Sequence, residues 1–347
     1  MDRHTDMDLP NILLKYNDDI DVVLREALYH GNADILNIMK YHIGWVDKDG
    51  NPINANHGKG LRSSLCMFAC ESIGGRVDAA LPSAAAIEII HNFSLIHDDI
   101  QDGDAERRHR PTVWKIWGKG QALQIGNAMR VLGDLAQSLR TAAEIKPEYL
   151  VMCNLALTNA YLEMMEGQYL DLYFQGRWDV RVGDYLDMIA RKTGALIRNA
   201  MALGAIVGGG DVNTVEAMTR CGRYLGYAFQ IRDDYLGVWG DERITGKPIG
   251  SDILRKKSSL PIVHAIQESV SADRKQISDI YSKELVDSND IDAIMAVLDK
   301  TKSRAYVQGL VEEYAFYAAR SLNELDLVPG STTELDELVW FLTNREY

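Results

Sequence analysis

Residues 84–102 read AAAIEIIHNFSLIHDDIQD. Glu88 is the only charged residue among the first thirteen, so the run predicts a helix that stays buried until it meets its aspartates. Asp98 and Asp102 stand one helical turn apart and share a face. An unpaired carboxylate in such surroundings is expensive to bury. A second stretch repeats the arrangement: YLGYAFQIRDDYLG (224–237) carries Asp233 and Asp234 after another apolar run. Hard oxygen ligands at helical spacing suit Mg²⁺, an ion that keeps its waters and bridges to substrate phosphates. A lone acidic triplet is usually a solvated face. Two acidic clusters, each closing a buried helix, point to an acidic cavity that holds a diphosphate through metal ions.

Outward from these stretches the pattern stays helical. The eight prolines leave 148–247 clear, and that span holds three segments with apolar spacings of three and four, at 148–174, 182–208 and 213–239. Strand-like alternation is hard to find. The expectation is an all-α fold, a single domain over 1–347 built as a bundle of roughly ten to thirteen helices around a central cavity. GDERITGKPIGS (240–251), directly after the second acidic cluster, reads as a flexible loop suited to act as a lid.

Hydrophobic residues make up 46% of the chain, enough for a large core, and the net charge of −13 argues against nonspecific binding to nucleic acid or anionic membrane. It leaves anionic substrates open, because bound cations invert the local sign. Cys66, Cys70, Cys153 and Cys221 form no metal-ligand pattern and read as core thiols, which makes a reducing cytoplasm the default. The start MDRHTDMDLP does not resemble a signal peptide, and the weakly polar run 199–210 is too short to cross a bilayer. A soluble protein is expected.

Basic groups flank the acidic ones. Arg107-Arg108-His109-Arg110 follows the first cluster, and His57-Gly58-Lys59-Gly60-Leu61-Arg62 opens a helix whose N-terminus itself favours an anion. Lys192-Thr193 interrupts a long helical segment, and Lys256-Lys257 follows the glycine loop with Lys247.

In this order the motifs resemble the trans-isoprenyl diphosphate synthases, the polyprenyl synthetase family. The resemblance runs from about residue 59 to 265 and is carried by GKGLR (58–62), IHNFSLIHDDIQDGDAERRHRPTVW (90–114), GQYLDL (167–172), KTGAL (192–196), FQIRDDYLG (229–237) and GKPIGSD (246–252). It implies the isoprenoid synthase fold and a Mg²⁺-dependent head-to-tail condensation of an allylic diphosphate with isopentenyl diphosphate. Asp98, Asp102 and Asp233, supported by Asp99 and Asp234, would hold about three Mg²⁺ ions. Arg107, Lys192, Lys247 and Lys257 would add direct charge to the allylic diphosphate, and Thr193 and Gln230 would turn dipoles toward the allylic cation. Lys59, Arg62, His91 and Arg108 match the isopentenyl diphosphate site. A homodimer is the family's usual state.

Departures from the family pattern are Gly237 in place of the last aspartate of the second cluster, with Asp241 as a candidate substitute; His109, Gly60-Leu61, Ser63 and Asn127; and Ser258-Ser259. Phe93, five residues before Asp98, and the small Ser94 beside it suggest a floor for the growing chain, and the resemblance favours the C20 geranylgeranyl product over C15 farnesyl. A class I terpene cyclase needs no second diphosphate pocket, and a non-catalytic partner subunit would be expected to lose the first triad. Both rivals fit the residues less well.

Overall fold

The computed structural model describes residues 9–29, 33–53, 58, 60–140, 146–245 and 248–346. Lys59 and Lys247, assigned above to substrate binding, lie outside the described residues, as does Gly246 of the loop read as a lid. Helix α1 (Asn17–Ala27) and α2 (Ala33–Ile43) lead to α3 (Leu61–Ser72) and the long α4 (Val77–Asp102). Next come α5 (Val113–Trp117), α6 (Lys119–Leu135), α7 (Pro147–Phe174), α8 (Val182–Lys192), α9 (Gly194–Val207) and α10 (Val212–Trp239). The single turns α11 (Glu242–Thr245) and α12 (Ser251–Leu254) precede α13 (Leu260–Glu268), α14 (Ser271–Tyr281), α15 (Ser288–Lys300), α16 (Ser303–Arg320) and α17 (Ser331–Asn344).

The fold is the all-α bundle that the periodicity requires. Its helices outnumber the ten to thirteen read from the sequence for two reasons. Three are pieces of four or five residues, too short for a periodic signal, and the segment 182–208 is two helices meeting at Thr193. Segments 148–174 and 213–239 match α7 and α10 to within a residue. Pro82 is buried inside α4. It sits just beyond the first turn, where one backbone bond is lost and the apolar packing of the remaining turns offsets it.

The main core lies where α4 packs on α3 and α6, and α9 on α3 and α10, with Leu65, Phe68, Ile87, Ile90, Met201 and Leu203 almost fully enclosed. Each such side chain contributes about 1.5–3 kcal/mol by leaving water. Glycines set the helix spacing around the future site. A Cβ on Gly226 of α10 would stand 2.8 Å from Gly194 Cα, and one on Gly204 of α9 would stand 2.8 Å from Ala69 Cβ. By length and composition α4 could cross a membrane, which the run 199–210 could not, but 72% of its most apolar window is buried inside the bundle. Its hydrophobicity is that of a central core helix.

Candidate active site

The C-terminal turn of α4 and the late turns of α10 bring the two acidic clusters to one end of the bundle. Gly103, at φ +71°, ends α4 immediately after Asp102. Carboxylates at a helix C-terminus oppose the dipole, so their placement there calls for a compensating cation. Burial pushes the Asp98 carboxyl up to about 6; Lys192 pulls it down and Asp102 pushes it further up. Asp102 is raised as well, first by desolvation. Neither takes a hydrogen bond or ion pair among the described residues. Asp99, one residue on, faces the other way and receives Arg107 through Nε at 2.9 Å and a terminal nitrogen at 2.8 Å.

The second cluster is divided in the same manner. Asp234 is fully buried. It accepts from Tyr185 Oη at 2.5 Å, from Leu260 N at 3.1 Å and from Gln230 Nε2 at 3.2 Å. Burial is the main cause of its rise to about 6. With its amide NH₂ committed to Asp234, Gln230 presents Oε1 to Thr193 Oγ1 at 2.6 Å. Asp234 therefore orients the Gln230–Thr193 pair. Asp233, one residue before, is half-exposed and pairs with Arg345 from the end of the chain. Gly237 falls one turn beyond Asp233, and a Cβ there would stand 2.5 Å from Asp252 Cγ. Asp252 thus places its carboxylate over the gap left by glycine. Asp241 does not: it caps its own loop, with Arg243 at 2.6 Å.

Three cations complete this end. Lys192, at the α8–α9 break, pairs with Asp171 at 2.6 Å. Lys257 stands 3.8 Å from Asp252, and although desolvation works against its ammonium, Asp252, Asp234, Asp171 and Asp233 hold its pKa above the usual lysine value. Arg345 is the third. Among the described residues no three carboxylate, imidazole or thiol side chains converge closely enough to enclose an ion by themselves. Separated carboxylates suit a hydrated Mg²⁺ whose remaining ligands come from a bound phosphate, so the donor set fits that ion.

Below Asp98 opens a cavity of about 480 Å³, lined by Asp98, Lys192 and Thr193 at its mouth and by Phe93, Ser94, Met164 and Leu196 deeper down. It adjoins a smaller pocket of about 230 Å³, and Arg62 and His91 line both. Arg108, Arg345 and Glu88 share the smaller pocket. Arg62 lies 3.3 Å from His91 Nε2, while Arg62 Nε and Arg345 Nε have no hydrogen-bond partner among the described residues. Burial, then the charges of Arg62, Arg108 and Arg107, hold His91 well below its usual pKa, so it serves as a neutral hydrogen-bonding group. A pocket with three guanidinium groups and orphaned donors has the chemistry to hold an anion.

Of the basic run 107–110, only Arg108 reaches this pocket, and a hairpin puts it there. Arg107 pairs with Arg110 across a two-residue turn in which Arg108 and His109 both have positive φ, +52° and +60°. Tight two-residue turns favour glycine at these positions. His109→Gly is expected to stabilise the fold by about 0.5–1 kcal/mol through relief of the left-handed strain. The check is the urea midpoint; an unchanged or lower midpoint refutes it. Arg110 turns away and donates to Tyr41 O at 2.9 Å and Val46 O at 2.8 Å.

The structure thus puts Asp98, Lys192 and Thr193 at the cavity mouth, with Asp102, Gln230, Asp233 and Lys257 close by at the same end of the bundle, and Arg62, His91 and Arg108 in the adjoining pocket. It sets Asp99, Arg107 and Asp234 behind them as positioning groups. Arg345, Asp252, Asp171 and Tyr185 were not singled out from the sequence. Asp171 and Asp252 lie within quoted motifs; Arg345, 112 residues from Asp233, gave no local signal.

Residues 45–298 match the polyprenyl synthetase family. The chain is 31% identical to a farnesyl diphosphate synthase of Mycobacterium tuberculosis, over 99% of this chain and 95% of that one. It is 39% identical to a geranylgeranyl diphosphate synthase of the same organism, over 73% and 71%. Among solved structures, a polyprenyl synthetase from Streptomyces coelicolor superposes with a TM-score of 0.86 at 32% identity, covering 95% of this chain and 98% of that one. A geranylgeranyl pyrophosphate synthetase from Pyrococcus horikoshii gives 0.85 at 29% identity, covering 96% and 98%.

Proposed function

The chain belongs to the polyprenyl synthetase family and is an isoprenyl diphosphate synthase, and from that premise we propose that it joins an allylic diphosphate head to tail with isopentenyl diphosphate to give geranylgeranyl diphosphate. The observation that carries this reading is the pair of adjoining pockets: one has an acidic mouth and a deep apolar wall, and the other has three arginines. Two diphosphates of different tail length fit two such sites. A cyclase would leave the second without a ligand.

Asp98, Asp102 and Asp233 would hold about three Mg²⁺ ions, with Asp252 supplying the acid absent at Gly237, and ions held there would supply positive charge to the allylic diphosphate and its departing group. Lys192 and Lys257 add fixed positive charge where the leaving oxygen becomes anionic, and Lys247 is assigned the same task. Thr193 Oγ1, whose proton points to Gln230, turns its lone pairs toward the allylic carbon as positive charge develops there. Arg62, Arg108, Arg345 and neutral His91 hold isopentenyl diphosphate with its double bond facing that carbon, Lys59 completing the set. The new C–C bond forms as the allylic C–O bond breaks, and the released diphosphate takes the proton that restores the alkene. No enzyme nucleophile takes part.

The whole chain, 1–347, is read as one catalytic domain. Its partner is read as a second copy, supported by an exposed apolar stripe along α7, Val151, Leu155, Leu162, Tyr169 and Tyr173, beside Val131 and Leu135 of α6. The cytoplasm is the compartment assigned, in keeping with four free buried thiols.

The test is incubation with Mg²⁺, isopentenyl diphosphate and each allylic primer in turn. C20 product is expected; a C15 end product, in keeping with the farnesyl-named relative, would shift the length assignment, and hydrocarbons from primer alone would replace the synthase reading with a cyclase. Phe93 lines the cavity and is 4% exposed. Phe93→Ala is expected to add at least one C5 unit to the main product, read by mass analysis; an unchanged distribution removes Phe93 from the floor.

A further inference from the structure

We infer that Arg130 closes the far end of the larger cavity and, level with Phe93, sets how long a product fits; the inference rests on the chain-elongation reading above. The helix contacts fix its depth. A Cβ on Gly126 of α6 would stand 2.5 Å from His97 Cδ2 of α4, and one on Gly133 would stand 2.8 Å from Ile90 Cγ1. Seven residues forward on α6 thus match seven back on α4, so the helices are antiparallel and Arg130 is level with Phe93. On α7, Gln168 donates to Gln101 of α4 at 2.8 Å, and seven residues back from each bring Tyr161 level with Ser94. Arg130, Phe93 and Tyr161 therefore form one layer, five residues or about 7.5 Å below Asp98 at the helical rise.

Arg130 lines the cavity itself. Its guanidinium lies 3.7 Å over the Tyr161 ring, and Asp134, one turn further on, pairs with it from beyond the cavity. Its Nε is buried with no hydrogen-bond partner among the described residues. On the mouth side of this layer the α7 wall is apolar, with Met164 and Met165 one turn above Tyr161. An isoprenyl tail that reaches this layer meets a tethered charge with an unsatisfied donor. To pass, it must draw the guanidinium off the ring and away from Asp134, or strip it of water, and hydrocarbon offers nothing in exchange. Ser94 leaves space beside Phe93 that an aromatic ring does not fill, and Arg130 is the group that closes it.

Two variants separate this role from a structural tie between α6 and α7. Arg130→Ala removes the plug, and Arg130→Lys keeps charge and most of the length. Products from each allylic primer with Mg²⁺ and excess isopentenyl diphosphate are dephosphorylated and resolved by mass. Arg130→Ala is expected to raise the share of products longer than the wild-type main product by about tenfold, the scale of discrimination one apolar group gives, while Arg130→Lys keeps the wild-type pattern. Arg130→Leu, with the same expectation, replaces the alanine variant if that one does not fold. A folded alanine or leucine variant with the wild-type distribution overturns the proposal. A wild type that condenses nothing from any primer brings down the elongation reading, and this inference with it.

Discussion

Asp98→Asn is expected to lower turnover by about 10³-fold or more while leaving the protein folded. The side chain keeps its shape and loses the charge that binds a cation at the cavity mouth, and cation stabilisation of a departing diphosphate accounts for several kcal/mol of barrier. The pH behaviour separates this loss from simple destabilisation. The Asp98 carboxyl is held near 6 in the folded chain, against an ordinary 3.8, chiefly by burial. Because the folded state keeps this proton longer, the group's contribution to stability is present at low pH and is lost as pH rises from about 3.8 to 6. A bound cation, which requires the ionised form, restores it above that window. Wild-type protein should therefore gain thermal stability from Mg²⁺ at pH 8 and little at pH 5, and the Mg²⁺ concentration needed for half-maximal turnover should rise as pH drops through 6. Asp98→Asn should be at least as stable as wild type without metal at pH 8, with a smaller Mg²⁺-induced rise in melting temperature. Turnover above a tenth of wild type, or an unreduced Mg²⁺ response, would refute the role.

What could be read from the chain divides along a physical line. Helical spacing is local, so residues 84–102 and 224–237 disclosed two buried helices ending in acid, and with them Asp98, Asp102 and Asp233. The same spacing cannot say which neighbour of a pair faces the cavity. Asp99 and Asp234 turn to Arg107 and Tyr185, and that choice depends on helices packed behind them. Arg345 comes from the far end of the sequence to reach Asp233, and only the folded path of α17 brings it there. Asp252 was inside a quoted motif, yet its relation to Gly237 is a matter of contact between α10 and α12. Pro82 is a further case of packing over local preference, since burial outweighs the cost of proline inside α4.

Gly167→Ala is expected to cost about 3 kcal/mol of stability and about 10²-fold in turnover, although the residue touches no substrate. Gly167 lies on α7, and a Cβ there would stand 2.6 Å from Lys192 Cα and 2.8 Å from Arg191 C. Those atoms are backbone, so no rotamer change relieves the overlap, and either α7 or the α8–α9 junction must move. The junction is where Lys192 meets Asp171 and where Thr193 meets Gln230. A displacement of one ångström there would move the ammonium from the leaving oxygen and the hydroxyl from the allylic carbon together. The kinetic signature should be a fall in kcat with little change in KM for isopentenyl diphosphate, whose pocket takes its arginines from α3, the 106–111 hairpin and the residue after α17. Gly183→Ala is the control, since a Cβ at Gly183 of α8 meets nothing within 4 Å and alanine favours the helix. If Gly167→Ala retains wild-type kcat and melting temperature, α7 is not what fixes the Lys192–Thr193 break, and the catalytic geometry is held by the other helices packed on α8 and α9, namely α3, α4, α10 and α13.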